Sequence, residues 1–524
     1  MHPARHTTPP ISRLVGGAVL VMACATGEAQ TPPAADFAEL PYRPAHLEVT
    51  GARAYAAEDL LKFSLAWLRS RGQPVTARSV AEGIEQIYRE DGHALAEVAV
   101  RPDPGTASLR WEVMEGHVAQ VNVIGADGPT RLRIERYLNS VLHPAPLMQS
   151  ELERAVALAD DLANVNVTSS LVPLQGDGHR LDATVTQNLP FTSASIDWVP
   201  MRPGYSTRLG LQHERYSVIN AGDLLRLQGM VTRDRSDGHS WLARFHYRTP
   251  RGDDGDYLEI IGGNGRSDRD PGGLALSTEL RGTNVTAAWG YPVQRDLHAF
   301  SYVIGALDFS RARMKVGDAT PRSEATAARV YLVNGDTASD GRLLQYTVEL
   351  SAGVRPSTPT GQADDGRSRF VHARAGLGTS GHWTLGRSLM SYRFESLGQW
   401  TSQSLPSVEK FSLGHYPFLR GYAPAEVAGD RGAAFTFELA HHGSHDGGTN
   451  RLSPFVFVSA GRASTVATAF AASSARTLAS TGVGLRGNPV DRIGVEAWCA
   501  WPLRDGPLSE KRDPAFYLQI GTQW

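Results

Sequence analysis

The sequence predicts a transmembrane antiparallel β-barrel of about 16 strands, preceded by two α+β domains. Apolar and polar residues alternate with period two from about residue 192 to the end of the chain. The region before residue 192 contains one pattern of strands and helices twice. The mean hydropathy, -0.27, is too low for a bundle of membrane helices. A barrel is compatible with that value because only alternate strand residues face lipid.

The N-terminus has the features of a secretory signal peptide, which we place at residues 1–29. An apolar segment at residues 14–25 follows two arginines, and Gly27 and Ala29 supply a small-x-small cleavage site. The apolar segment is shorter than the roughly 20 residues that a spanning helix needs. A lipoprotein signal centred on Cys24 is the alternative, although the residues before it form a poor lipobox.

The charge and the cysteine content of the chain bear on its possible functions and on how it folds. The formal net charge is -2 and the chain has no basic stripe, so a nucleic-acid binder is not expected. The two cysteines are Cys24, inside the signal, and Cys499. The mature chain therefore has no internal disulfide, and its folding must rest on packing and strand pairing.

A Pro- and Ala-rich linker at residues 30–45 leads into two segments of similar plan, residues 46–117 and 118–190. Each has a short strand, two stretches with helical spacing of apolar residues, and two closing strands. In the second segment the closing strands are predicted at residues 165–171 and 181–185. Two copies of one plan indicate a tandem repeat.

Residues 191–524 contain sixteen alternating segments separated by turn signals. In residues 344–352, for example, Leu, Tyr, Val, Leu and Ala alternate with Gln, Thr, Glu and Ser. The spacing of about 21 residues per strand and connection suits barrel strands of about 10 residues. An even number of strands places both ends of the barrel on the same side of the membrane. A soluble sandwich also alternates, but it explains neither the signal peptide nor the aromatic C-terminus.

The connections between these segments alternate in length, as expected for short turns on one side of the membrane and longer loops on the other. Tight turns are predicted at residues 219–222, 250–255 and 488–491. Long connections are predicted at residues 310–324, 401–430 and 462–477.

The last segment is predicted to act as an insertion signal as well as a wall strand. One face carries Phe516, Leu518 and Ile520, and the chain ends on the aromatic ring of Trp524. Aromatic rings suit the interface between membrane and water. Outer-membrane lipid and the barrel-assembly machinery are therefore expected partners.

Two motifs carry a resemblance to a known family. The run Glu409-Lys-Phe-Ser-Leu-Gly414 is followed by Leu419-Arg420-Gly421-Tyr422 in the long connection between the eleventh and twelfth predicted strands. With two POTRA-like units ahead of a sixteen-stranded barrel, the chain resembles a two-partner secretion transporter of the TpsB type, in the hemolysin/hemagglutinin secretion-activation protein family. The resemblance implies that this connection folds back into the lumen of the barrel.

The resemblance also implies a partner for Arg420. In the family this arginine pairs with an Asp in a Phe-x-Asp-x-Gly motif of the thirteenth strand. Here the corresponding residues are Phe457 to Gly461, and Ser459 stands where the family has its acid. The candidate partners are therefore Ser459 itself, Glu438 or Glu496, because an arginine in a pore is best held by a carboxylate or by several acceptors.

The function that the resemblance implies is export of an unfolded partner polypeptide, a large β-helical exoprotein, across the outer membrane, with activation of the partner left open. Strand addition at an exposed sheet edge would suit its capture, and Val165–Leu171 or Leu181–Val185 could supply that edge. The alternatives are an assembly or insertion factor of the same superfamily, a passive porin and an outer-membrane enzyme.

No catalytic constellation or cofactor motif is found, and we do not expect an enzyme. The run from His441 to Asp446 contains three histidines and an acid. It is interpreted as a polar turn after the twelfth strand, because no second cluster completes a metal-ligand set.

We predict that deleting Gln523 and Trp524 lowers outer-membrane assembly with little change in synthesis, because the closing strand loses its interfacial aromatic ring. Trp524→Phe, which keeps a ring, should assemble normally. The measurement is the amount of protein in purified outer membranes relative to total protein. Normal levels of the truncated chain would contradict the insertion-signal assignment.

Overall fold

The computed structural model describes residues 47–524, apart from 94, 103–108, 188, 201–204, 235–237, 270–277, 317–319, 321, 356–368, 445–447, 450–451, 469–470, 491 and 524. The predicted signal peptide and the predicted linker lie outside the described residues, as does Trp524. None of the described helices is both long enough and apolar enough to cross a membrane.

The region before the barrel contains the predicted strand–helix–helix–strand–strand order twice. The elements are β1 (Leu47–Thr50), α1 (Ala57–Ser70), α2 (Ala77–Glu90), β2 (Glu97–Pro102), β3 (Leu109–Met114), β4 (His117–Ile124), α3 (Gly128–Leu138), α4 (Gln149–Asp160), β5 (Val165–Pro173) and β6 (Gly178–Gln187). The two sheets have the equivalent orders β1-β3-β2 and β4-β6-β5. In each sheet the central strand pairs parallel with the first strand and antiparallel with the other.

Each copy has its own core because the apolar side of its two helices packs on one face of its sheet. In the first copy, Trp111 is buried on the central strand and its indole N–H donates to the carbonyl of Ala77 at 2.9 Å. The buried carboxylate of Glu115 accepts hydrogen bonds from the backbone of Arg53 and Ala54 and from the hydroxyl of Tyr88. These bonds close the sheet onto the helices without a disulfide.

The remaining strands form the barrel and a small hairpin. They are β7 (Phe191–Pro200), β8 (Tyr205–Tyr216), β9 (Leu224–Asp234), β10 (His239–Pro250), β11 (Tyr257–Arg269), β12 (Thr278–Arg295), β13 (Ala299–Val316), β14 (Arg322–Thr337), β15 (Leu343–Val354), β16 (Arg369–Leu385), β17 (Ser388–Trp400), β18 (Phe411–Leu413), β19 (Val427–Gly429), β20 (Arg431–Ser444), β21 (Gly448–Thr449), β22 (Leu452–Ser464), β23 (Ala475–Val490), β24 (Ile493–Pro502) and β25 (Ala515–Gln523).

The sixteen long strands close into one barrel, with β25 paired to β7, and this confirms the predicted fold class. The two-residue β21 adds only a short pairing to β20. Exposed apolar side chains alternate with buried ones: on β22, Val456 and Val458 are exposed, whereas Phe457 and Ser459 are buried. The exposed set forms the outer surface, and the buried polar set lines the lumen.

The closing ladder is short. β25 and β7 pair over six residues, from Leu518↔Trp198 to Gln523↔Ser193. The neighbouring ladder between β24 and β25 pairs eight residues, and the ladder between β7 and β8 pairs ten. The seam of the barrel is therefore held by fewer described backbone pairs than the ladders on either side.

One predicted long connection is wrong. Residues 310–324 were expected to form a loop, but β13 and β14 continue through most of this range and pair as far as Arg313↔Arg322. The period of two continues in this hairpin, because the charged residues at 311, 313 and 315 alternate with Ala312 and Met314. A strand accommodates such charges on one face of the sheet.

We predict that the purified protein migrates differently on detergent gels before and after boiling. A closed ladder of sixteen strands satisfies its backbone hydrogen bonds internally and resists detergent, whereas heat opens it. The measurement is the shift in apparent mass between the two samples. Identical migration, together with recovery of the protein in the soluble fraction, would be inconsistent with the barrel.

Candidate functional site

The connection at residues 401–430, here called the lumen loop, packs inside the barrel. Its residues Phe411, Leu413, Leu419 and Tyr422 are buried in one apolar cluster with wall residues of β20, β22 and β23. Within the loop, β18 and β19 pair antiparallel from Phe411↔Gly429 to Leu413↔Val427. We call these two strands the stem and residues 414–426 the tip.

The tip contains Arg420, whose side chain is 3% exposed. Its Nη1 donates to Oε2 of Glu438 on β20 at 2.9 Å. The guanidinium also lies 4.4 Å from the ring centroid of Phe457 and 5.1 Å from that of Tyr416. A carboxylate together with aromatic faces compensates a buried arginine for lost hydration. The Nε of Arg420 has no hydrogen-bond partner among the described residues.

Glu438 serves two cations. Its second oxygen accepts from the guanidinium of Arg486 on β23, which in turn lies 4.1 Å from the ring centroid of Phe455. Glu438 is itself buried. One carboxylate therefore holds the loop arginine and a wall arginine together, and its loss would leave both guanidinium groups without an anion.

Of the three candidate partners, the structure places only Glu438 against Arg420. Ser459 is fully buried, and its hydroxyl bonds instead to Thr436 Oγ1 at 2.8 Å. Glu496 lies on β24, opposite Arg486 and Gln519, and makes no described bond to Arg420. The two interpretations that pair Arg420 with Ser459 or Glu496 are therefore wrong in geometry.

The strand register gives the reason. Glu438 pairs across the ladder with Phe457, and Thr436 pairs with Ser459. Side chains two residues apart share a face of the sheet, so Glu438 points into the same region of the lumen as Ser459. The acid lies on the neighbouring strand, displaced by two residues from the position that the family motif predicts.

The residues next to Arg420 fix the shape of the tip. Gly421 has φ +98, and a Cβ there would lie 3.2 Å from that of Ala500 on β24. Glycine adopts this left-handed conformation at no steric cost. The hydroxyl of Tyr422 donates toward the carbonyls of Ala479 and Arg504, each at 2.8 Å. The motif therefore contacts three parts of the barrel through three different chemical groups.

A residue that the sequence analysis missed continues this contact. Glu426 is buried, and its Oε1 accepts from the backbone N–H groups of Leu508 and Ser509, which precede the closing strand. Its Oε2 accepts from the hydroxyl of Ser509 and from the N–H of Ala423. The lumen loop is thus bonded to the connection between β24 and β25. No motif in the sequence identifies this role.

The predicted insertion-signal residues lie on the outer side of β25. Phe516 is 54% exposed and Ile520 is 37% exposed, while Leu518 is half-buried. The structure places these three side chains on one face of the closing strand, as alternation predicts.

The predicted polar turn at His441–Asp446 is wrong for its first residues, and residues 445 and 446 lie outside the described part of the chain. His441 and His442 lie within β20, and the ring of His442 bonds to the hydroxyls of Ser391 and Ser453 at 2.7 and 2.9 Å. These bonds cross to the strands on both sides, so the histidine is part of the wall. Among the described residues, no group of three or more potential ligands could hold a metal ion.

The sheet edges before the barrel are the second candidate site. β6 is the central strand of its sheet and pairs on both sides, so Leu181–Val185 cannot supply an edge. β5 pairs only with β6, which leaves its other side open. In antiparallel pairing, alternate residues direct both backbone groups away from the partner. On β5 these are the odd-numbered residues from Val165 to Pro173.

Two of the outward N–H groups of β5 already donate hydrogen bonds within the domain. The N–H of Val165 donates to the carbonyl of Leu162, and the N–H of Val167 donates to Asp160 Oδ1 at 2.8 Å. Burial raises the pKa of Asp160 to about 6, so its carboxylate is largely ionised at neutral pH. Pro173 has no N–H. The outward N–H groups left without a described partner are those of Ser169 and Leu171.

The first copy has an equivalent edge on β2 that is more completely blocked. The N–H of Ala96 donates to the carbonyl of His93, and that of Val98 donates to Glu85 Oε1 at 3.0 Å. Pro102 ends the strand without an N–H. Only Val100 keeps an outward N–H without a described partner. Carboxylates and prolines at strand edges are known devices against unwanted pairing.

A closed barrel of sixteen strands with a polar lumen, behind two α+β units, defines an outer-membrane protein. Residues 265–487 match the model of the family described as haemolysin secretion/activation protein ShlB/FhaC/HecB. The match includes the whole lumen loop, Glu438 and Ser459. It confirms the resemblance to two-partner secretion transporters and places the barrel among outer-membrane secretion transporters.

Two solved structures share this architecture. CdiB from Acinetobacter baumannii is 14% identical, with a TM-score of 0.68 over 94% of this chain and 93% of that one. CdiB from Escherichia coli is 15% identical, with a TM-score of 0.72 over 95% of this chain and 93% of that one. At these identities the likeness shows the fold. No curated protein matches the chain in sequence.

We predict that Glu438→Gln loosens the tip of the lumen loop. The amide keeps the shape but removes the anion from two buried guanidinium groups, and breaking a buried pair in this way costs about 3–5 kcal/mol. Proteolysis of the loop in the purified protein should be faster, and single-channel conductance in planar bilayers should be higher.

Glu496→Gln is the matched control for this experiment. It removes the same charge from β24 without touching Arg420, and it should behave as the unsubstituted protein does. If the two variants gave the same proteolysis rate and conductance, the assignment of Glu438 as the acid that holds Arg420 would fail.

Proposed function

We propose that this protein captures an unfolded partner polypeptide in the periplasm and exports it through the barrel. The observation that carries the proposal is the lumen loop, which occupies the barrel and is held by the Arg420–Glu438 pair. A loop that is packed and paired inside the lumen suits a conduit that must stay closed until a large substrate arrives.

Capture is assigned to the edge of β5. The periplasm holds no ATP, so the protein cannot work as a motor, and the partner has to be bound by its own free energy. An exposed edge binds backbone groups whatever the side chains of the partner. Ser169 and Leu171 offer two outward N–H groups, whereas β2 of the first copy offers Val100 alone.

The other outer strand of the second sheet is a poorer template. β4 pairs with β6 in parallel, and its register shifts between Val118 and Gln120. Such an irregularity interrupts the even spacing of backbone groups that an added strand requires. The second copy is therefore the capture domain in this proposal, with residues 169–172 as the strand template.

An insertion factor of the same superfamily is the second candidate function. The observation that favours it is the short seam, in which six pairs of described residues join β25 to β7. A seam that opened would pass strands sideways into the membrane. The bonds from Glu426 to Leu508 and Ser509 oppose this opening, because they tie the connection before β25 to the lumen loop.

The proposal predicts that Leu171→Pro reduces export. Proline removes the outward N–H of Leu171 without removing a bond to β6, and one lost backbone hydrogen bond of about 0.5–1.5 kcal/mol weakens capture about two- to tenfold. The measurement compares polypeptides in the medium of cells with and without the protein, which identifies the partner, and then quantifies that partner for each variant.

Val100→Pro is the matched control on the first copy and should lower export less, since its edge is already blocked on both sides. Deletion of residues 45–190 should abolish export and leave a heat-modifiable barrel. Normal export by the deletion variant would refute capture by this region. A general loss of other outer-membrane proteins in cells lacking the protein would instead support the insertion factor.

A further inference from the structure

A second charged cluster lies in the lumen, away from Arg420. Its centre is Arg329 on β14, a buried arginine whose side chain is 2% exposed. Nη1 lies 3.0 Å from Oε1 of Glu349 and 2.8 Å from the hydroxyl of Ser351, both on β15. Nη2 lies 3.1 Å from Oδ2 of Asp308 on β13. All of these residues belong to strands of the barrel wall.

One residue that contacts Arg329, Glu409, belongs to the lumen loop. Both carboxylate oxygens of Glu409 lie within 2.8 and 2.9 Å of Arg329 Nη2, and Oε2 lies 3.2 Å from His372 Nε2. The carbonyl oxygen of the same residue accepts from Arg374 Nη2 at 3.1 Å and from Gln399 Nε2 at 3.2 Å. Side chain and backbone of one fully buried loop residue are therefore held by four wall residues.

Glu409 stands two residues before the stem. On the other side of the stem, the carboxylate of Asp430 accepts from the N–H groups of Leu405 and Val466 at 2.8 and 2.7 Å. The carbonyl oxygen of Asp430 accepts from Gln399, the residue that also holds Glu409. Both limbs of the loop are thus fixed at the base of the stem, and none of these bonds involves Arg420 or Glu438.

The charged residues of the wall balance one another without Glu409. Arg329 and Arg374 carry two positive charges, and Asp308 and Glu349 carry two negative charges, so these wall residues balance one another. Glu409 is a third acid, supplied by the loop. Its contact with Arg329 therefore serves to hold the loop, because the wall arginines already have their anions.

We propose that Arg329 is a positioning residue that fixes the stem of the lumen loop through Glu409, independently of the Arg420–Glu438 pair that fixes the tip. Release of the tip then moves residues 414–426 while the stem stays in place. The loop is a hinged tip on a fixed base, and the two contacts control separate parts of it.

The test uses the full-length protein in planar bilayers with KCl, so it needs no partner and does not depend on export. In a Cys499→Ser background, Ser412→Cys reports on the stem and Ala423→Cys on the tip, each through its labelling rate with a hydrophilic maleimide. Heat-modifiable migration checks that each variant is an inserted barrel.

Glu409→Gln should raise stem labelling about tenfold or more, as expected when a charged hydrogen-bond set is lost, and should raise the conductance. Glu349→Gln is the matched control: it removes a carboxylate from the same arginine but leaves the loop contact, so stem labelling should stay unchanged. Glu438→Gln should raise labelling of the tip and leave that of the stem unchanged.

Equal stem labelling in Glu409→Gln and Glu349→Gln would overturn the proposal, since Arg329 would then act on the wall alone. Joint release of stem and tip by Glu438→Gln would overturn the independence of the two contacts. If Glu409→Gln fails to insert, Glu409→Asp keeps the charge on a shorter side chain. Stem labelling should then lie above that of the unsubstituted protein, and an unchanged rate in this variant would also overturn the proposal.

Discussion

Charges buried inside the barrel need partners, and this requirement determines how the lumen loop is built. An arginine without an anion in the lumen costs several kcal/mol of unfolding free energy, so the loop can occupy the pore only where the wall supplies acceptors. Arg420 of the loop finds its acceptor in Glu438, and the buried carboxylate of Glu409, which needs a cation for the same reason, finds Arg329 of the wall. The two pairs have opposite polarity. The loop gives a cation at its tip and an anion at its base, and it is thereby fixed to two regions of the wall.

The fold was largely predictable because lipid on one side and a polar lumen on the other impose a strict period of two. Strand positions followed from that period. The predicted loop at residues 310–324 was wrong, because the charged residues of β13 still alternate with apolar ones and the strands continue. The site was less predictable. Arg420 was identified from its motif, whereas Glu438 could be separated from Ser459 and Glu496 only by the register between β20 and β22. Glu409 lay inside the quoted motif, but its contact with Arg329 joins residues 80 positions apart.

The two repeats before the barrel show the same limit of sequence reasoning. Helices and strands follow from apolar spacing, but the direction of a backbone N–H depends on which neighbour a strand pairs with. The central position of β6 therefore removed one predicted edge, and the side-chain acceptors Glu85 and Asp160 occupied part of the others. These carboxylates come from different positions in their helices. No sequence repeat reveals that both cap an edge N–H.

In the proposed export, the free-energy cost of opening the pore has to be small enough for opening to occur without ATP. Moving the tip separates Arg420 from Glu438 and would be prohibitive if both ions stayed dry. Water enters as the tip leaves, however, and a hydrated lumen restores solvation to both groups, so the net cost falls below that of a broken dry pair. A fixed stem limits the motion to a short segment and keeps the tip near its binding position. When the pore closes again, only this short segment has to be ordered, so the loss of conformational entropy is small.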